Sequence, residues 1–123
     1  MPITQHFPLI LASGSAARQQ LMRAVGLNFS VEPSGIDEEA ITATIAHLSL
    51  PERALALARA KAITVGKTHP QSYTIGADQV CALGDTIMHK PGSFENACAQ
   101  LAQLSGQTHL QHCGVVIAHG GHI

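Results

Sequence analysis

The chain has no tryptophan, and aromatic residues make up only 3% of it. Proteins that hold single-stranded nucleic acid stack bases on aromatic rings, so that material is scarce here. Charged residues are sparse too, at 12%, and the formal net charge is −1. A broad polyanion-binding surface needs clustered lysine and arginine. Nucleic acid is therefore not an expected partner, while a small phosphorylated ligand is still compatible. Only three cysteines occur, Cys81, Cys98 and Cys113. Odd in number and widely spaced, they form neither a disulfide framework nor a zinc pattern, and they read as reduced core thiols of a cytoplasmic protein. No stretch approaches the ~20 apolar residues of a membrane helix, and no basic segment leads into a long apolar run, so no membrane association is expected. The P-loop, GxGxxG, GxSxG and CxxC patterns are all absent, as are internal repeats and low-complexity linkers.

What is present is a 123-residue chain that is 46% hydrophobic, enough for one globular domain with one modest core. It is organised around residues 9–22. Leu9-Ile10-Leu11-Ala12 reads as a short buried strand, Ser13-Gly14-Ser15 as a turn, and the residues from Ala16 onward as a helix that stops near Gly26. The first N–H groups of a helix lack intrahelical partners, and the dipole's positive end favours negative charge. A strand, a small-residue turn and a helix start thus make an anion site, with two hydroxyls and Arg18 as further donors. The same residues also suit a plain tight turn with a serine cap.

The rest of the chain continues in the α/β manner. Residues 1–8 are a lead-in and 28–31 a second strand. Asp37-Glu38-Glu39 then fits an acidic helix start, or a carboxylate facing a phosphate site through a metal. A short helix is expected over 40–48. Ser49, Pro51 and Glu52 open a longer helix that runs to about Gly66, with Leu55, Ala58, Ala62 and Val65 on its buried face. Lys61 on that helix reads by itself as a solvated surface group. Residues 73–77 form a strand that ends at Asp78. An acid inside an apolar run is costly unless it is paired or holds a metal, so Asp78 stands out as a functional candidate. Gly84-Asp85 turns a hairpin between 80–83 and 86–88. Ser93 caps a helix with Phe94, Ala97, Leu101 and Leu104 on one face, and 110–118 is a strongly apolar strand. Of the eight histidines, His109/His112 and His119/His122 are spaced three apart. On a strand that spacing sends the two rings to opposite faces, so they read as ordinary polar positions.

Six separated signals now stand in one order. They are Ser13-Gly14-Ser15-Ala16-Ala17-Arg18, Asp37-Glu38, Ala60-Lys61-Ala62, Gly76-Ala77-Asp78-Gln79, Lys90-Pro91 and Leu104-Ser105-Gly106-Gln107-Thr108-His109. Together they resemble the Maf family of nucleoside triphosphate pyrophosphatases, related in fold to the inosine triphosphate pyrophosphatases, from Leu9 through Val116. The resemblance implies hydrolysis of a nucleoside triphosphate, modified or non-standard ones included, to the monophosphate and pyrophosphate, with Mg²⁺ or Mn²⁺ required. It implies Asp78 as proton acceptor, and Glu38 with Asp78 at the metal. Ser13, Ser15, Arg18, Lys61 and Lys90 are implied around the triphosphate, and Ala17 and Gln79 where the base is selected.

The chain departs from the family's Ser-x-Ser-Pro-Arg-Arg turn at two positions. Ala16 replaces the proline, and Ala17 replaces the first arginine, which removes a bidentate donor. Gln79 resembles the 7-methyl-GTP-type branch, which however usually carries tryptophan where Ala17 sits, whereas the dTTP/UTP-type branch carries threonine at the Gln79 position; the chain fits neither branch and leaves the base open. Family members also continue beyond residue 123. The expectation is a single Maf-like α/β domain over 1–123, a mixed β-sheet flanked by helices, truncated relative to the family and with the sheet incomplete at its C-terminal end. The leading function is a metal-dependent pyrophosphatase acting in the cytoplasm. The alternatives are a catalytically inactive nucleotide-binding or regulatory protein, and an inert fragment of a longer enzyme. The apolar strand over 110–118, with a free edge, suggests a homo-oligomer.

Overall fold

The computed structural model describes residues 4–123; residues 1–3 of the expected lead-in lie outside the described residues. Five strands and four helices follow in the order β1 (Leu9–Leu11), α1 (Ala16–Ala24), β2 (Ser30–Val31), α2 (Glu38–Thr44), α3 (Leu50–Gly66), β3 (Tyr73–Leu83), β4 (Thr86–Met88), α4 (Phe94–Leu104) and β5 (Leu110–His119). This is the expected α/β fold with a mixed sheet. Side chains set each helix start: Ser15, Asp37, Ser49 and Ser93 accept hydrogen bonds from the main-chain N–H three residues on. Gly84, at φ 60°, makes the β3–β4 turn in the left-handed conformation a side chain would disfavour.

The sheet is built on β3. β1 lies parallel to β2 and to the first part of β3, with Leu9, Ile10 and Leu11 opposite Tyr73, Thr74 and Ile75. β4 lies antiparallel to the last part of β3, with Cys81, Ala82 and Leu83 opposite Met88, Ile87 and Thr86. β5 takes the other edge of β3 along almost its full length, from Tyr73 opposite His119 to Ala82 opposite Leu110. One edge of β3 is therefore closed. The other is shared by β1 and β4, with a gap between Ile75 and Cys81.

Helix α3 crosses β3 and β5 at very short range. Ala54, Ala58 and Ala62, one turn apart, are fully buried against the sheet. A Cβ added at Gly76 of β3 would lie 2.1 Å from the Ala58 carbonyl oxygen, and one at Gly114 of β5 would lie 2.6 Å from that of Ala54. Glycine at both sites lets the helix backbone rest almost on the strands. Ala58, Ala62, Val116 and Ala118 form one core cluster, and Ile10, Ala12 and Val65 another.

Several details differ from the sequence expectation. β3 does not end at Asp78; it runs unbroken through it to Leu83, because the gap in the neighbouring edge lets a charged side chain sit mid-strand. The second strand is only Ser30–Val31, and α2 starts at Glu38, two residues early. Leu55 is 49% exposed, and Ala54 and Leu57 take its place on the buried face of α3. The cysteines are free but are not core thiols: Cys98 and Cys113 are exposed, and Cys81 is half-buried. The α4 stripe lies open, with Phe94 83% exposed. On β5, Gly114, Val116 and Ala118 face α3, while Val115 and Ile117 lie exposed on the opposite face of the sheet.

Candidate functional site

The gap in the edge of β3 is the floor of a cleft of about 1040 Å³. Main-chain hydrogen bonds show which residues look into it. The Tyr73 N–H donates to the Pro8 carbonyl, and the Ile75 carbonyl accepts from Ala12 N–H. Odd-numbered residues of β3 therefore aim their main-chain groups at the β1–β4 edge, and even-numbered ones aim theirs at β5. Ala77 and Gln79 fall where no strand faces them.

Lys61 enters this gap from α3. Its Nζ lies 3.2 Å from Asp78 Oδ1, 2.8 Å from Glu38 Oε1 and 3.4 Å from the Ala77 carbonyl oxygen. Its side chain is only 11% exposed, and that of Asp78 only 15%. The plain expectation of a solvated helix lysine is thus replaced by a nearly buried ammonium that bridges two acids. The close seat of α3 on Gly76 makes this reach possible. Glu38 comes from the first turn of α2, where its charge also suits the helix dipole.

The turn after β1 lines the cleft at the β1 end of the gap. Ser13, 8% exposed, accepts at Oγ from the Ser15 N–H at 3.1 Å and from Arg18 Nη1 at 3.2 Å. Ser15 Oγ accepts from the Arg18 N–H at 3.3 Å, as a helix cap. Ala17 lines the same end, and Lys90 lines the cleft from the segment after β4. Among the described residues neither Arg18 nor Lys90 pairs with a carboxylate. All nine residues singled out from the sequence (Ser13, Ser15, Ala17, Arg18, Glu38, Lys61, Asp78, Gln79 and Lys90) border this one cleft. It brings together hydroxyls, cations that pair with no carboxylate among the described residues, and a lysine-bridged carboxylate pair.

Arg53 and Gln111 also line the cleft, outside the nine. Arg53 donates from Nε to the Leu48 carbonyl at 3.0 Å and from Nη2 to the Ala46 carbonyl, tying the α2–α3 link to the start of α3. A cation in the first turn of a helix opposes the dipole, and that was the signal available for it. Gln111 on β5 accepts at Oε1 from Gln79 Nε2 at 2.8 Å. No pattern in the sequence marks it.

The donor set suits a hard divalent cation. Mg²⁺ takes one or two carboxylates and fills its remaining positions with water and substrate phosphates. Glu38 and Asp78 would offer that pair through the carboxylate oxygens that Lys61 does not contact. Among the described residues no group of three or more histidine, cysteine, aspartate or glutamate side chains forms a closed metal cage. No described helix is long and apolar enough to cross a membrane.

Comparison with known proteins places these features in a family. The family described as Maf-like protein matches residues 8–122. A nucleoside triphosphate pyrophosphatase of Bradyrhizobium diazoefficiens is 44% identical over 116 residues, covering 94% of this chain and 57% of that protein. One of Legionella pneumophila strain Corby is 40% identical over 107 residues, covering 87% and 54%. A 7-methyl-GTP pyrophosphatase of Rhizobium johnstonii is 42% identical over 115 residues, covering 92% and 58%. The chain thus spans somewhat over half the length of the curated relatives it matches.

Proposed function

Since this chain belongs to the Maf-like protein family, we propose that it carries the phosphate-binding and hydrolytic cleft of a nucleoside triphosphate pyrophosphatase. The reaction is attack of water on the α-phosphorus, giving a nucleoside monophosphate and pyrophosphate. The observation that carries this reading is Lys61 bridging Asp78 and Glu38 in the same cleft as a serine turn, Arg18 and Lys90.

In this reading Asp78 accepts the proton of the attacking water through a carboxylate oxygen. Lys61 holds that carboxylate in place from one side, through Asp78 Oδ1, and contacts Glu38 through Oε1. As the bond between the α-phosphorus and the bridging oxygen breaks, negative charge grows on the departing pyrophosphate. Arg18 and Lys90 face that charge, and the hydroxyls of Ser13 and Ser15 orient the phosphate oxygens. A divalent cation, when bound, is held by Glu38 and Asp78 and supplies positive charge against the phosphates. The chemistry suits the cytoplasm, where nucleotides are abundant and unpaired thiols stay reduced.

The test is a panel of triphosphates, 7-methyl-GTP included, incubated with Mg²⁺ or Mn²⁺ and analysed for products. One pyrophosphate per monophosphate is expected, with loss of turnover under chelation and recovery on adding the cation back. Diphosphate and inorganic phosphate as products would overturn the reading. A second reading is a nucleotide binder without turnover. It is favoured by Ala17, which leaves the cleft wall without the guanidinium of the family's turn. Saturable triphosphate binding with no pyrophosphate release would select it.

A further inference from the structure

Helix α2 carries Glu38 into the cleft, yet none of its residues is buried. Hydrophobic burial therefore does little to fix where it stands. Two cations of α3, the helix it lies against, hold it instead. Lys61 Nζ contacts Glu38 Oε1 at 2.8 Å, in the first turn of α2. Arg53 reaches the other end. Its Nε donates to the Leu48 carbonyl at 3.0 Å and its Nη2 to the Ala46 carbonyl, just past the last turn of α2. Arg53 and Lys61 stand eight positions apart on α3, about 12 Å along its axis, and α2, at seven residues, is about 10 Å long. The spacing of the two cations thus matches the length of the helix they hold.

The two ties differ in kind. A carbonyl oxygen only accepts and a guanidinium only donates, in a fixed fork, so the Arg53 contacts have one possible sense. They also bring positive charge to the negative end of the α2 dipole. This accounts for a cation near the start of α3, where it opposes that helix's own dipole. Lys61, by contrast, divides its contacts among Glu38, Asp78 and the Ala77 carbonyl. The Glu38 side chain at that end is 51% exposed, so burial does not hold it.

We propose that Arg53 is a positioning residue for Glu38: it fixes the far end of α2, so that the acid at the near end stands where a divalent cation in the cleft can be held. The proposal rests on the reading of Glu38 and Asp78 as the carboxylate pair of a pyrophosphatase cleft. The Lys61 end of α2 exchanges partners as a ligand enters, and the Arg53 end stays fixed. Arg53 acts through α2 and takes no part in the hydrolytic step.

The experiment measures Mn²⁺ binding without nucleotide, by electron paramagnetic resonance of the free ion, and deuterium uptake along α2. The proteins are the wild type, Arg53→Met, Glu38→Gln, the double variant and Arg53→Lys, with pyrophosphate release followed beside them. Arg53→Met keeps the aliphatic stem and removes the donors. It should weaken Mn²⁺ binding about tenfold and speed exchange in α2, with a thermal melt near that of the wild type. Glu38→Gln should weaken Mn²⁺ binding as well. Adding Arg53→Met to it should cost no further affinity, because the route from Arg53 to the ion runs through Glu38. Arg53→Lys keeps the charge without the fork and should fall between Arg53→Met and the wild type. Losses that add in full in the double variant overturn the proposal, since Arg53 then acts independently of Glu38. Unchanged Mn²⁺ binding with a raised KM marks Arg53 as a direct phosphate contact and overturns it too. Where Arg53→Met does not fold, Arg53→Lys decides, and wild-type Mn²⁺ affinity in that variant overturns the proposal. A wild type that binds no Mn²⁺ overturns the metal role of Glu38 and the proposal together. The coupled loss of Mn²⁺ binding in a protein that releases no pyrophosphate overturns the hydrolytic reading alone.

Discussion

Asp78 sits where a strand would normally refuse a charge, and Lys61 is what makes the position tolerable. An unpaired carboxylate at 15% exposure would be costly, and an ammonium 3.2 Å away offsets much of that cost. Asp78→Asn keeps the shape and removes the proton acceptor. The expected result is a loss of turnover of about a hundredfold or more, with a thermal melt close to wild type because Lys61 stays paired with Glu38. Pyrophosphate release and circular dichroism on the same preparation check both halves. A folded variant that retains most of the rate would remove Asp78 from the chemistry. Asp78 was legible in the sequence because an acid interrupts an apolar run. Lys61 was not, since nothing local separates a buried helix lysine from a solvated one; only the resemblance pointed it inward. Arg53 is marked in the sequence only as a cation near a helix start, because its bonds go to carbonyls of an irregular link, which no side-chain periodicity reports.

The α3–sheet contact shows where pattern reading succeeds and where it fails at the level of elements. The helix, its serine cap and its end near Gly66 all followed from local chemistry. Its buried face does not: hydrophobic spacing puts Leu55 on the core side, yet the contact is a stripe of alanines on two glycines. Close approach selects small residues rather than greasy ones, so hydrophobic periodicity points slightly off the mark there. The sequence pattern ends the strand at Asp78 for a related reason, because the gap beside it is made by two distant strands. Gly76→Ala would set a methyl 2.1 Å from the Ala58 carbonyl oxygen. A stability loss of about 3 kcal/mol is expected, or a fall in Tm of roughly 10 °C. Gly14→Ala is the control, since its added methyl meets only Pro33 Cγ at 4.0 Å. Equal melting of the two variants would show that the helix does not need its close seat.

Across the whole molecule the sequence disclosed the order of elements and the ring of cleft residues better than it disclosed what covers what. α4 and β5 both formed as expected, yet Phe94, Leu101, Val115 and Ile117 are exposed. An amphipathic stripe tells which face a helix or strand would bury, not whether anything packs there. The split edge of β3 is a product of the assembled sheet alone, and it has a consequence for solvent exchange. Strands ordinarily fray from their ends and hold their centres longest. Here the main-chain N–H groups of Ala77 and Gln79, at the centre of the longest strand, face a cleft, while those of Gly76, Asp78 and Val80 face β5. Deuterium should therefore enter at Ala77 and Gln79 well ahead of their even-numbered neighbours, and a nucleotide seated in the cleft should slow those two amides selectively. Uniform protection along β3 would contradict the alternation. The pattern makes the middle of the sheet its most responsive backbone: a bound ligand takes the place of the missing strand.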